Sequence, residues 1–193
     1  MDLKVMNAEN IKTAGVIGSG TMGRGIGICT ASAGIKTVLY DINSDILDKA
    51  ALIIQKDLGR SAEKKKISPE KKEEILKNIV FTSDFTDLKE SDFVIEAALE
   101  NMELKKDLFS KLDELCGSET ILSTNTSSLS ITTISTYVKN NPGRVIGMHF
   151  FNPANIMKLV EIVKGDFTDE ETVTITKELS KKLGKVSVTA KDT

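Results

Sequence analysis

The chain of 193 residues is 40% hydrophobic and 28% charged, with a formal net charge of −2, the profile of an ordinary globular protein of one domain. The near balance of acid and base leaves no positive field for nucleic acid, and no apolar run reaches the length of a membrane span. Asp2, Asn7, Glu9 and Asn10 interrupt any signal-like N-terminal stretch, while Cys29 and Cys116 lack metal-ligand spacing and read as reduced thiols of a cytosolic protein.

In chain order, a short apolar run at residues 14–17 leads into a glycine-rich turn and a helical stretch over 21–33. A second strand is predicted at 36–41, then a long charged helix from Asp45 to about Lys66. Ser68-Pro69-Glu70 reads as the start of another helix, with Ser as cap and Pro in the first helical position, ending near Asn78. Those two helices form a helical hairpin, about 45–78, inserted after the second strand. Further strands are expected at 79–82, 92–97, 120–123, 144–148, 158–163 and 185–189, with helices notably at 101–116 and 169–183. The alternation predicts an α/β fold: a doubly wound, mostly parallel sheet of Rossmann type covered by helices on both faces, as one domain over 1–193.

Gly18-Ser19-Gly20-Thr21-Met22-Gly23 fits G-x-G-x-x-G, and it sits where that pattern carries meaning, after a strand and opening a helix. In that setting Gly18 makes the tight turn, Gly20 admits a pyrophosphate to the backbone, and Gly23 lets helix and strand pack closely. The helix start at Thr21 and Met22 faces the anion. Asp41 ends the second strand about twenty residues on, the place of an acid that binds an adenosine ribose. No arginine follows it closely, which favours NAD over NADP. No Gly-Lys-Ser/Thr follows the glycines, so a P-loop is excluded.

Ligands of open α/β sheets sit beyond the carboxyl ends of the strands, which places Glu100, Asn125, Ser127, Ser128, His149 and Asn152 along one rim. His149 is the only histidine, with Glu161 twelve residues beyond it in an apolar run. Imidazole is suited to take a hydroxyl proton near neutral pH, a carboxylate on its other side would fix the tautomer, and a serine hydroxyl would hold the substrate oxygen. One histidine and two scattered cysteines offer no metal site.

The blocks G-V-I-G-S-G-T-M-G-R-G-I, V-I-E-A-A-L-E-N-M-E-L-K, S-T-N-T-S-S-L-S-I and G-M-H-F-F-N-P-A-N-I-M-K-L-V-E-I-V together resemble the 3-hydroxyacyl-CoA dehydrogenase family, nearest its bacterial 3-hydroxybutyryl-CoA type, over essentially the whole chain. The resemblance implies NAD-dependent interconversion of an (S)-3-hydroxyacyl-CoA and the 3-ketoacyl-CoA. It makes His149 the general base, Glu161 its partner and Ser128 the residue touching both substrate oxygen and cofactor. It further implies that Asp41 binds the ribose and that Glu100, Lys105 and Asn152 contact the nicotinamide half; Asn125, on the same rim, is expected to bind the cofactor as well. The hairpin would close over CoA, with Lys64 of Lys64-Lys65-Lys66 meeting its phosphates; a solvated helix face is the other reading of that triplet. In the family a helical domain follows K-D-T, supplying a dimer interface and one wall of the cleft. It is expected to be absent here, leaving this chain weakly active or inactive. Two other readings stay open: a related β-hydroxyacid dehydrogenase, and a catalytically idle NAD- or acyl-CoA-binding protein.

Overall fold

A computed structural model describes residues 7–192; Asp2 and Thr193, which figure in the reading above, lie outside them. The described residues form one eight-stranded sheet: β1 Thr13–Ile17, β2 Lys36–Tyr40, β3 Ile79–Thr82, β4 Phe93–Glu96, β5 Ile121–Thr124, β6 Val145–Phe150, β7 Leu159–Lys164 and β8 Val186–Lys191. Their spatial order is β3-β2-β1-β4-β5-β6-β7-β8. Every neighbouring pair is parallel except β6 with β7, which run antiparallel. The strand order reverses at β1, whose neighbours are β2 and β4, and that is the point where such sheets open a crevice for a ligand.

Six α-helices cover the two faces: α1 Thr21–Ser32, α2 Ser44–Glu63, α3 Pro69–Lys77, α4 Met102–Leu115, α5 Ile131–Ser135 and α6 Glu170–Lys182. On one face Ile26, Ile54, Ile75 and Leu179, from α1, α2, α3 and α6, share a core with β-strand residues. On the other, Phe109 and Leu112 of α4 meet Ile134 of α5. Polar side chains start most of these helices. Asn43 accepts from the amides of Asp45 and Ile46, Ser68 from that of Lys71 with Pro69 in the first turn, Asn101 from that of Leu104, and Ser130 from that of Thr133. The hairpin is not a loose arm, because Leu47, Ala50, Ile54 and Leu58 recur on one face of α2 and are buried. Its first helix ends at Glu63, short of the predicted Lys66, where Lys65 takes a left-handed backbone (φ 53°) that turns the chain into α3.

Helix α1 runs against its own propensity, since glycine weakens a helix by about 1 kcal/mol relative to alanine. Packing explains why Gly23 and Gly25 are there. A Cβ on Gly23 would stand 1.7 Å from the Gly18 carbonyl oxygen, and one on Gly25 would stand 3.0 Å from the Ala154 Cβ. So the helix lies directly against the strand-exit turn on one side and the segment after β6 on the other.

At the opposite, amino edge of the sheet, Arg144 donates from Nη2 to Asp113 Oδ1 (2.7 Å) and from Nη1 to the Gly117 and Thr120 carbonyls. Asp113 Oδ2 also accepts from the amides of Lys139 and Asn140 (2.8 and 3.1 Å). Burial pushes the Asp113 carboxyl up, but Arg144 and the two amides together hold it below the usual carboxylate range. A depressed folded-state pKa stabilises the fold fully above the unfolded value of about 3.9 and loses that contribution as pH falls through the folded value. Asp113→Asn should therefore cost about 2–3 kcal/mol at pH 7, since it leaves the buried guanidinium without its counter-charge. The gap to the wild type should narrow as pH is lowered toward 3; urea unfolding at pH 7 and pH 3 checks both halves.

Candidate active site

The glycine turn leaves β1 at the switch point. Gly18 has a positive φ of 92°, and a Cβ there would meet the Ala97 carbonyl oxygen at 2.7 Å, so this residue lets the end of β1 lie against the exit of β4. Gly20 opens α1 without a side-chain cap, and no acidic residue sits in the first turn. That contrasts with the side-chain caps on α2 to α5 and leaves first-turn amides, with the positive end of the helix, free to meet an anion. A Cβ on Gly20 would meet nothing within 4 Å, so the space beside it is open. Thr21 is exposed and Met22 half-buried against the core.

Asp41 follows β2. Its Oδ2 accepts from the Ser19 amide (2.8 Å) and hydroxyl (2.9 Å), while Oδ1 takes only the longer bond from the Asn43 amide (3.2 Å). One oxygen thus locks the glycine turn and the other retains room for a ribose hydroxyl. Arg24, which the sequence reading passed over, donates to the Ser19 carbonyl (3.2 Å) and braces the same turn. If Asp41 reads the ribose, Asp41→Ala should weaken NADH binding about tenfold and lower the preference for NADH over NADPH. Paired titrations with the two cofactors check this, and an unchanged preference would sink the assignment.

Beyond β4 and β5 lies a connected acid–base network. Glu96, at the end of β4 and fully buried, accepts from Lys105 Nζ at 2.7 and 2.8 Å, from the Thr124 hydroxyl at 2.6 Å and from the Ala98 amide at 2.7 Å. Lys105, on α4, is 1% exposed and also approaches Glu100 at 3.4 Å. Its ammonium therefore lies beneath the rim, between two carboxylates, instead of projecting from it. Glu100 Oε1 accepts from the Thr126 hydroxyl, the Ser127 amide (3.1 Å) and the Ser128 hydroxyl (3.3 Å). Burial raises its carboxyl, but Thr126, Lys105 and the Ser127 amide outweigh that and hold it below the ordinary value. The other end of the serine loop is held by Asp192, which accepts from the Ser130 hydroxyl (2.7 Å) and the Thr132 amide (2.8 Å). Glu96 and Asp192 were missed in the sequence because each contacts partners remote in the chain.

His149 and Glu161 are directly opposed across the antiparallel β6–β7 pair, with Nδ1 and Oε2 2.8 Å apart. Their twelve-residue spacing is thus the length of a strand–turn–strand path. The imidazole is 20% exposed and lies 5.0 Å, centroid to centroid, from the Phe151 ring. With Nδ1 donating to the carboxylate, the lone pair is left on Nε2, ready to take a proton. Asn125 Oδ1 accepts from the Phe150 amide (2.8 Å), tying the end of β5 to the strand that carries His149. Asn152 is exposed on the following turn, which Lys185 Nζ fastens through the Ala154 and Met157 carbonyls (2.6 and 2.8 Å). Lys64, Lys65 and Lys66 are exposed at the turn between α2 and α3, and among the described residues no carboxylate pairs with them.

Comparisons with known proteins show the family of the chain as a whole. The model of the family described as 3-hydroxyacyl-CoA dehydrogenase, NAD binding domain, matches residues 13–193. The 3-hydroxybutyryl-CoA dehydrogenase of Clostridioides difficile is 47% identical over 90% of the chain, and the 3-hydroxyadipyl-CoA dehydrogenase of Escherichia coli K12 is 46% identical over 93%. The chain spans 61% and 38% of the length of those two relatives. Among solved structures, the 3-hydroxybutyryl-CoA dehydrogenase from Ralstonia eutropha superposes with a TM-score of 0.92 at 38% identity, covering 95% of this chain and 65% of that one.

Proposed function

The chain belongs to the 3-hydroxyacyl-CoA dehydrogenase family as its NAD-binding domain, and on that premise we propose that it serves the NAD-dependent interconversion of an (S)-3-hydroxyacyl-CoA and the corresponding 3-ketoacyl-CoA. The observation that carries the reading is the opposed His149–Glu161 pair on the same sheet as an uncapped, glycine-built helix start. When bound, the nicotinamide supplies the hydride acceptor. His149 Nε2 takes the hydroxyl proton, Glu161 stabilises the imidazolium so formed through Nδ1, and the Ser128 hydroxyl turns its proton from Glu100 to hold the substrate oxygen. Glu100, Asn125 and Asn152 frame the nicotinamide half, and Lys105 acts on it through Glu100.

The names of the relatives support a CoA thioester as the shared substrate class and differ in the acyl group, and 3-hydroxybutyryl-CoA is the short-chain candidate. The unpaired cations at Lys64 to Lys66 suit CoA phosphates, with Lys64, the C-cap of α2, first among them. The dimerisation implied by the resemblance would rest on a helical domain outside the matched region.

The test is to titrate the chain with NADH and with acetoacetyl-CoA by calorimetry, then to follow NADH absorbance with both present. NADH loss that depends on acetoacetyl-CoA supports the reading. NADH binding with no acetoacetyl-CoA binding and no NADH loss, in this chain and in a form of the relatives' length, would favour an idle dinucleotide-binding protein.

A further inference from the structure

Glu96 is the most enclosed acid of the rim network and touches neither the glycine turn nor the His149–Glu161 pair, so neither the fold fingerprint nor the proton transfer uses it. Its position carries charge information. Glu96 and Glu100 contribute two negative charges and Lys105 one positive, all joined within 3.4 Å, so the cluster keeps one net negative charge. The buried pair is fixed at its base by Thr124 and the Ala98 amide, and only Glu100 reaches the rim. Glu96 also competes with Glu100 for Lys105: both of its oxygens hold Nζ at 2.7–2.8 Å, whereas Glu100 stands at 3.4 Å. Lys105 is thereby held more closely by Glu96 than by Glu100, and the one negative charge left over in the cluster reaches the crevice through Glu100.

The direction of the crevice sets what that charge meets. Asp41 after β2 marks the adenosine side, and the α1 start after β1 marks the pyrophosphate. A dinucleotide crossing the switch point therefore puts its other ring over the ends of β4 and β5. That ring carries a positive charge when oxidised and none when reduced. We propose that Glu96 is a positioning residue for cofactor redox state: by matching the Lys105 charge it leaves the cluster one net negative charge under the nicotinamide and favours NAD+ over NADH. The proposal rests on the dinucleotide reading of the glycine turn.

The experiment measures Kd for NAD+ and for NADH in the same chain and takes their ratio. In Glu96→Gln, Lys105 compensates Glu100 one for one, the net charge falls to zero, and Kd(NAD+)/Kd(NADH) should rise roughly tenfold, as expected for a unit charge removed at about 10 Å in a protein interior. The double variant Glu96→Gln with Lys105→Met restores one net negative charge and should return the ratio to within about threefold of the wild type. A residue acting only as a fold strut would instead weaken both cofactors alike, and the double variant would be worse than the single; that result would overturn the proposal. Should Glu96→Gln fail to fold, Glu100→Gln also cancels the net charge while leaving the buried pair in place, and an unchanged ratio in it would be equally fatal. A wild-type chain that binds neither cofactor would refute the dinucleotide reading itself, and the charge proposal with it; binding of both with an unmoved ratio refutes the proposal alone.

Discussion

Replacing His149 by glutamine should lower kcat about 10³-fold, the usual scale for losing a positioned general base, in any form of the protein that turns over. NADH affinity should change by less than about threefold. Glutamine keeps much of the imidazole's reach and can still bond to Glu161, but it cannot accept a proton at neutral pH. The two readouts separate because His149 lies on β6, paired to β7, while the glycine turn and Asp41 follow β1 and β2 across the sheet. Glu161→Gln should follow His149→Gln in kcat and not in cofactor binding. Its amide can turn its oxygen or its NH2 toward Nδ1, and the latter favours the tautomer protonated at Nε2, which is no base. Steady-state kinetics with acetoacetyl-CoA, beside NADH titrations of each variant, decide the matter. A parallel loss of NADH affinity would make the histidine a structural residue of the β6–β7 hairpin.

The parts of this site that were legible in the sequence are those whose chemistry is local. The glycine turn, the helix after it and Asp41 are read from one β-α-β stretch because Gly18 takes a positive φ and Gly23 packs on the Gly18 carbonyl five residues back, whereas the Gly18 contact with Ala97 is remote in the chain. The Ser68-Pro69 helix start was legible for the same reason: the cap bond spans three residues. The pairing of His149 with Glu161 was expected from the sequence, but not the geometry that joins them. An apolar run such as Leu159–Lys164 shows that a strand exists and gives no sign of its direction, and only the antiparallel pairing explains why a spacing of twelve closes a 2.8 Å contact.

The network under the rim was harder to see. Glu96 sits in a run that reads as a buried strand, and its partners Lys105 and Thr124 are nine and twenty-eight residues away. A buried charge has no sequence signature apart from its partner, and the partner is chosen by the tertiary fold. The same holds for Asp192 under the serine loop and for Asp113 with Arg144 at the far edge. Lys105 shows the converse: expected with the rim residues, it reaches Glu100 but is buried, with its ammonium between two acids and not on the open rim.

Gly23→Ala should weaken NADH binding at least about a hundredfold and cost about 1–3 kcal/mol of stability, the range for an atom forced into a filled space. The added Cβ would lie 1.7 Å from the Gly18 carbonyl oxygen, a backbone atom with no rotamer to escape through. Either α1 moves off the turn or the turn distorts, and both misalign the first-turn amides with a pyrophosphate. Two sibling substitutions separate packing from binding. At Gly27 a Cβ would meet only the Thr37 and Leu39 side chains at 3.8 and 4.0 Å, so Gly27→Ala should bind NADH normally and gain up to about 1 kcal/mol from helix propensity. At Gly20 a Cβ would meet nothing within 4 Å, so Gly20→Ala should keep the stability of the wild type while weakening NADH, because the methyl group enters the space left for the ligand. Thermal unfolding and NADH titration of the three variants form one experiment. If Gly20→Ala and Gly23→Ala both bind as the wild type does, the turn is a packing device and the dinucleotide must be sought elsewhere on the rim. If Gly20→Ala loses affinity at unchanged stability while Gly27→Ala does not, the cofactor lies against the Gly20 backbone and the path of the nicotinamide toward Glu100 and His149 follows from it.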